Sequence, residues 1–126
     1  MFLKMRVPFF QTFDKKTIRL IMERINCNWV NRNQIVCRFK DHGEQMFVLI
    51  TGQVGEYIAV KYNNIDDAVP DEVYEPVSTF GEDNLTQERH WGSTFRAQKR
   101  SLLLNIFKKD LIEVLQHVKV LNQSNK

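Results

Sequence analysis

Residues 80–97 read FGEDNLTQERHWGSTFRA, and no other stretch of the chain says as much about the fold. The stretch opens on Phe80-Gly81-Glu82 and closes on Ser93-Thr94-Phe95-Arg96-Ala97. Its second half predicts a strand at about 91–98. One face of that strand would carry Trp91, Ser93, Phe95 and Ala97. The stretch therefore predicts a short interruption that is followed by a strand.

Short strands separated by turns fill the chain on both sides of this stretch. Apolar or alternating runs predict strands at about 35–39, 46–50, 54–62, 73–77 and 101–106. Gly43 and Gly52 lie in two of the turns, where glycine takes a positive φ without strain. In the run that begins at Val54, Ile58 and Val60 share its parity. Several short strands at this spacing predict a β sandwich or a small barrel.

Apolar residues at helical spacing predict one helix near each end of the chain. Ile18, Ile21 and Ile25 indicate a helix at about 14–26. Either Thr12 or Asp14 can cap it, because a short side-chain oxygen accepts a free backbone N–H. A second helix is predicted at about 108–121. Its apolar stripe consists of Phe107, Leu111, Leu115 and Val118.

The composition is that of one ordinary globular domain. The 126 residues are 43% hydrophobic and carry a net charge of +3, which is too mild to predict a nucleic-acid partner. Cys27 and Cys37 are expected to be reduced thiols in a cytosolic protein. No run approaches the ~20 apolar residues of a membrane span, and the N-terminus does not fit a signal peptide. We therefore expect a cytoplasmic protein without membrane insertion.

The sequence contains no familiar catalytic motif, such as a P-loop, a nucleophile elbow or a zinc-protease helix. Ser93 and Thr94 lie near His90, but the sequence identifies no carboxylate to orient that base. A metal-dependent enzyme of the cupin type would suit a small barrel, yet the three histidines are scattered and form no ligand spacing. The expectation is therefore a protein that is not an enzyme and holds no metal.

Three segments, taken in order, resemble the cyclic nucleotide-binding domain family. They are the strand and turn at 33–44, the aromatic-apolar strand and glycine hairpin at 47–54, and the stretch from Phe80 through Leu103-Leu104-Asn105-Ile106 into a terminal helix. The likeness covers about 7–118. It implies an α+β fold, an antiparallel β barrel or jelly roll at about 31–106 with an N-terminal and a C-terminal helix. The whole chain, 1–126, is then a single domain.

The resemblance also implies a phosphate-binding cassette for a cyclic nucleotide, which begins at Phe80. In that cassette Gly81 would allow close backbone approach, and Glu82 would accept the ribose hydroxyl. The backbone amides implied to face the phosphate are those near Asn84, Leu85 and Gly92. Where the family places the arginine that pairs with the phosphate, this chain has Trp91.

The chain departs from the family pattern at several other positions. Asn33 stands where the first glycine is usual, and Val77 stands where a glycine usually precedes the cassette by three residues. Asp83 and Asn84 replace small apolar residues. The usual Pro-Arg-Ala is replaced by His90-Trp91-Gly92.

Loss of the arginine predicts cyclic nucleotide binding at least ~100-fold weaker than in a family member that has it. Three alternatives remain open at this position. Arg89 could reach the phosphate site through a bulge, Trp91 could stack on a flat uncharged ligand such as a nucleoside, or Trp91 could fill the pocket as core.

The sequence therefore predicts a non-catalytic regulatory or interaction module. It would bind a protein partner or other domains of a larger assembly. The alternative is a sensor of a small ligand, either a cyclic nucleotide or a nucleoside, that uses Arg89 or Trp91. No cofactor is expected beyond such a ligand.

Overall fold

A computed structural model describes residues 8–58, 65, 68–85 and 89–124, without the side chains of 8, 9, 89 and 120–124. The helices are a 3₁₀ turn at Pro8–Thr12, α1 at Lys15–Met22, a second 3₁₀ turn at Glu82–Leu85 and α2 at Lys108–Ser124. The first strands are β1 at Asn26–Val30, β2 at Ile35–Cys37, β3 at His42–Gly43, β4 at Gln45–Thr51 and β5 at Val54–Tyr57. The later strands are β6 at Glu72–Tyr74, β7 at Ser78–Phe80, β8 at Arg89–His90, β9 at Thr94–Ala97 and β10 at Ser101–Phe107.

The strands form two antiparallel four-stranded sheets and one short pair. The first sheet has the order β1-β10-β4-β7, the second has the order β2-β9-β5-β6, and β3 pairs with β8. This jelly-roll-like arrangement with a helix near each end confirms the predicted α+β fold class. Among the described residues, no helix is long and apolar enough to cross a membrane.

Strand β4 contributes side chains to two separate cores, one on each face of its sheet. Phe47 and Leu49 pack between the two sheets, whereas Met46 and Val48 pack toward the helices. Because successive side chains of a strand point to opposite faces, a strand buried on both sides is apolar throughout. The core between this sheet and the helices, the helix-side core, also contains Phe10, Ile18, Ile21, Leu85, Ile106, Leu111 and Val114.

The first helix is shorter than predicted, and the barrel begins earlier. Asp14 caps α1, with its carboxylate accepting the Thr17 N–H at 2.8 Å, and the helix ends at Met22. Strand β1, which the sequence did not predict, then pairs with β10 from Asn26 onward. Four of its five residues are exposed, so it shows no alternation of apolar and polar side chains that could have indicated a strand.

Several predicted strand limits are also corrected. The strand from Val54 ends at Tyr57 and leaves Ile58 exposed, while residues 59–64 lie outside the described part of the chain. The run at 73–77 is replaced by β6 and β7, and the strand predicted at 91–98 is confined to Thr94–Ala97. In the 40–44 turn the positive φ belongs to Lys40, at 74°, because Gly43 pairs with Arg89 in β3.

The C-terminal helix departs from the predicted stripe at one position. Leu111 and Val118 pack in or against the core as predicted, but among the described side chains Val114 is buried and Leu115 is 40% exposed. The helix follows β10 with no loop, and the Lys108 N–H donates to the Glu44 carbonyl at 2.8 Å. This direct junction fixes the rotation of the helix, so tertiary packing overrides the stripe read from spacing.

Candidate functional site

A cleft of about 390 Å³ lies beside the second 3₁₀ turn, where β5, β6, β7 and the segment before β9 meet. Six of the eight predicted site residues line it. They are Phe80, Gly81, Glu82, Asn84, Trp91 and Gly92. The fold thus brings most of the predicted site together at one concave surface.

Trp91 is part of the core at the inner side of this cleft. Only 5% of its surface is exposed, and its indole lies 5.9 Å from the Phe47 ring, 6.3 Å from the Phe80 ring and 5.4 Å from the Phe95 ring, measured between centroids. Ring pairs at these distances are favourable beyond the area they bury. Of the alternatives left open by the sequence, the structure therefore favours an indole that packs as core.

The backbone N–H and the backbone carbonyl of Trp91 are both hydrogen-bonded. Its N–H donates to the Asp41 carbonyl at 2.8 Å, and its carbonyl accepts the Lys40 N–H at 2.8 Å. These two bonds fix Trp91 to the turn after β2, so the direction of the indole is set by the backbone as well as by ring packing.

Gly81 and Trp91 are fitted to each other. Gly81 has a φ of +86°, and a Cβ on it would overlap the Trp91 Cη2 atom. The indole therefore lies directly over the glycine. The resemblance implied that a ligand would approach the backbone at this glycine, and here a side chain of the same protein does so.

Polar groups of the 3₁₀ turn at Glu82–Leu85 form hydrogen bonds within the protein. The Asn84 N–H donates to the Gly81 carbonyl at 3.0 Å, and the Asn84 side-chain amide donates to the Gln45 carbonyl at 3.0 Å. Leu85 does not line the cleft and packs in the helix-side core. The Asn84 N–H is thus already bonded within the turn, and the phosphate contact that the resemblance implied near Asn84 stays a prediction.

Glu56 is a site residue that the sequence reasoning missed. Its carboxylate accepts the Tyr74 hydroxyl at 2.8 Å and the Ser93 hydroxyl at 2.6 Å, and all three side chains line the cleft. The signal was present in the sequence, since Glu56 has the same parity as Val54, which is buried. A charged residue at such a position indicates a purpose other than packing.

The electrostatic character of the cleft is negative. Burial is the largest cause of a raised pKa at the Tyr74 phenol, and the hydrogen bond to Glu56 raises that pKa further. The charges of Glu56, Glu72 and Glu82 act in the same direction. Asp83 also lines the cleft, and the lining side chains that the structure describes include no lysine or arginine.

The family is decided by a comparison with protein-family models. The model described as "Cyclic nucleotide-binding domain" matches residues 28–118. The chain belongs to the cyclic nucleotide-binding domain family. As a domain of this type it is related to regulatory domains. A comparison with curated proteins gives no significant match.

Solved structures of low sequence identity share the fold of this cyclic nucleotide-binding domain. A cyclic nucleotide-binding-like protein from Brucella abortus is similar with a TM-score of 0.75 at 14% identity, over 87% of this chain and 91% of that one. The N-terminal domain of a transcriptional regulator from Streptomyces coelicolor gives 0.76 at 19% identity, over 94% and 80%. The sensor domain of the regulator DNR from Pseudomonas aeruginosa gives 0.68 at 18% identity, over 86% and 74%.

Two further predictions concern groups at the edge of the cassette. The backbone of Arg89 pairs with Gly43 in the short β3–β8 sheet, while the Arg89 side chain lies outside the described part of the structure. His90 lines the cleft, and its ring lies 4.9 Å from that of His42, measured between centroids. Within the described residues there is no group of three or more His, Cys, Asp or Glu side chains that could hold a metal.

Proposed function

We propose that this cyclic nucleotide-binding domain is a non-catalytic regulatory or interaction module in which ordinary binding of cAMP and cGMP is weakened or lost. One observation carries the proposal. The indole of Trp91, at the position of the family's phosphate-pairing arginine, is buried over Gly81 where the ligand would approach the backbone.

The energetics support this reading. A phosphate here would lose a charge-assisted hydrogen bond, which contributes about 1.5–3 kcal/mol. It would also lie near carboxylates. At a separation of about 6 Å, each like-charge pair costs about 0.7–3 kcal/mol, depending on the local dielectric. Together these terms are consistent with binding at least ~100-fold weaker.

A protein partner, or another domain of a larger assembly, is the proposed target of this module. The chain 1–126 is proposed to act as one domain in the cytoplasm. The likeness to a domain named as part of a transcriptional regulator and to a sensor domain supports a role within a larger system.

Titration calorimetry with cAMP, cGMP and adenosine tests the proposal. For the unaltered protein we expect dissociation constants weaker than about 100 µM for both cyclic nucleotides. Trp91→Arg restores the missing cation and opens the space over Gly81, so we expect it to bind cAMP at least about tenfold more tightly than the parent does. A melting curve of each variant establishes that it is folded.

Micromolar binding of cAMP by the unaltered protein would overturn the proposal. If Arg89→Ala abolished such binding, a sensor that uses Arg89 in place of the family's arginine would take its place. Tight binding of adenosine alone would instead favour a sensor of uncharged nucleosides that stack near Trp91.

A further inference from the structure

The cleft remains open although Trp91 is buried at its inner side. About 390 Å³ of space is bounded by side chains from both sheets and by the 3₁₀ turn at Glu82–Leu85. Pockets that bind small molecules begin at roughly this size. The chemistry of the walls then decides which class of ligand the cleft favours.

The Glu56 carboxylate is oriented by two hydrogen bonds, and neither of these hydrogen-bond partners neutralises its charge. Both partners, the hydroxyls of Tyr74 and Ser93, are uncharged donors. Within the described part of the chain, neither Glu56 nor Glu82 forms an ion pair with a lysine or arginine. Each carboxylate oxygen of Glu56 accepts one hydroxyl and keeps capacity for a further donor.

Aromatic rings line the cleft beside this carboxylate, since Phe95 is the β9 partner of Glu56 and the Tyr74 hydroxyl donates to it. Phe80 and Phe95 are stacked with centroids 4.5 Å apart, and Tyr74 meets them edge-on at 5.6 and 5.8 Å. All three line the cleft, as does Trp91. Phe80, Phe95 and Trp91 are buried, whereas Tyr74 is partly exposed. A cation in the cleft would be attracted by the Tyr74 ring through its quadrupole and by the carboxylates through their charge.

We propose that this cleft binds an alkylammonium or guanidinium group, the opposite charge to the ligand of the family. The proposal deepens the proposed function, because it rests on the loss of ordinary phosphate binding at the same site. The group comes either from a free small amine or from a lysine or arginine side chain of a protein partner.

Trp91 itself supplies the readout. The chain has two tryptophans, Trp29 and Trp91, so Trp29→Phe leaves Trp91 as the only indole emitter. In this background the protein is titrated with butylguanidinium, with its neutral analogue butylurea, with spermidine, and with the peptide acetyl-Gly-Arg-Gly-amide. We expect a saturable change in emission with the cations and none with butylurea.

The comparison between the free amines and the peptide distinguishes the two sources. Binding of butylguanidinium or spermidine more tightly than the peptide indicates a small-molecule site. Tighter binding of the peptide indicates that a partner's side chain enters the cleft. Either result supports the cation site.

Glu56→Gln is the decisive variant, and Glu72→Gln is its matched control. Glu72 lies opposite Glu56 in the β5–β6 register but does not line the cleft. We expect Glu56→Gln to weaken cation binding about tenfold and Glu72→Gln to change it less than about twofold. If Glu56→Gln fails to fold, Glu82→Gln decides alone, with an expected loss of about threefold or more.

The inference is overturned if no cation shows saturable binding or if butylurea gives an equal response. It is also overturned if the affinity for the cations is unchanged in whichever of Glu56→Gln and Glu82→Gln folds. A titration with cAMP under the same conditions keeps the two proposals apart. Binding of cAMP contradicts the proposed function, whereas failure of the cations alone contradicts only the cation site.

Discussion

At Gly81 a single residue combines two constraints. Its φ of +86° lies in the left-handed region that side chains rarely adopt, and the Trp91 indole occupies the space where a Cβ would be. Either constraint alone would favour glycine. The second arises only because Trp91 is present, so the glycine now serves the packing of the core.

Gly81→Ala is therefore expected to lower the free energy of unfolding by about 1–3 kcal/mol. Part of that loss comes from the overlap with the indole, so the same change in a Trp91→Phe background should cost about 1 kcal/mol less. Urea unfolding of the four proteins in this double-mutant cycle measures the difference. Equal losses in both backgrounds would show that the indole does not constrain Gly81.

Asn33 shows that a departure from the family pattern need not change the backbone. Its φ is 71°, in the same left-handed region that a glycine would occupy. Asparagine enters this region more readily than other side chains because it is short and polar. The missing glycine at this position is thus consistent with an intact turn, unlike the change at Trp91, which alters what the site can contain.

In helix α2 the buried residues differ from those that the apolar spacing predicted. The loopless junction with β10 directs Leu111 and Val114 into the core shared with α1, and Ile112 and Leu115 remain substantially exposed. Outside the core, Arg24 of the chain segment after α1 contacts Asp110 and Glu113 of α2. Such exposed ion pairs contribute little to stability, so the apolar contacts hold the helix.

Two matched substitutions test this orientation. Leu111→Ala is expected to reduce the free energy of unfolding by about 2–5 kcal/mol, because it leaves a cavity in a packed core. Leu115→Ala, on the exposed side of the same helix, should cost less than about 1 kcal/mol. Chemical unfolding measures both. If the two losses were equal, or reversed, the stripe read from spacing would be the correct one.

The elements whose existence the sequence predicted are those with a marked apolar pattern. Both helices have apolar residues at helical spacing because one face of each packs in a core, and β4 is a continuous apolar run because both of its faces do. Strand β1 has no pattern, since most of its residues are exposed, and it is held by pairing with β10. Pairing partners far apart in the chain leave no local signal.

The sequence predicted where the candidate site lies, but it did not predict that the cleft is negatively charged. The cassette motif identified six lining residues within one continuous stretch. Glu56 and Tyr74 come from strands distant in sequence, and only the fold brings them beside Ser93. Whether a carboxylate on a strand faces solvent or a cleft depends on where the strand ends, and the predicted strand continued too far past Tyr57.

Across the whole molecule, the two cysteines lie in contrasting environments. Cys27 is exposed on the edge strand β1, whereas Cys37 is buried between the sheets. Burial raises the pKa of the Cys37 thiol, and the nearby charges of Asp41 and Glu56 raise it further against an opposing backbone hydrogen bond from Phe95. The folded protein therefore favours the protonated thiol.

Stability should accordingly depend on alkaline pH. The contribution of Cys37 is fully present below the pKa of an unfolded thiol, about 8.5, and is lost as pH rises above that value. The free energy of unfolding should fall by up to about 1.4 kcal/mol per pH unit, measured by urea unfolding between about pH 7.5 and 9.5. Tyr74, whose pKa is also raised, adds a further loss above about pH 10.

The control for this pH dependence is the other cysteine. Cys37→Ala should flatten the alkaline decline even if it lowers stability at neutral pH, whereas Cys27→Ala should leave the slope unchanged. A slope that persists in Cys37→Ala would assign the dependence to different groups.

The ring cluster around Trp91 joins β4 and β7 of one sheet to β9 of the other. In a pocket that a ligand must fill, rigidity follows the ligand's concentration by mass action. Here the filling group is covalently part of the chain and can be neither diluted nor degraded separately. The packing of this ring cluster therefore does not depend on the concentration of any ligand.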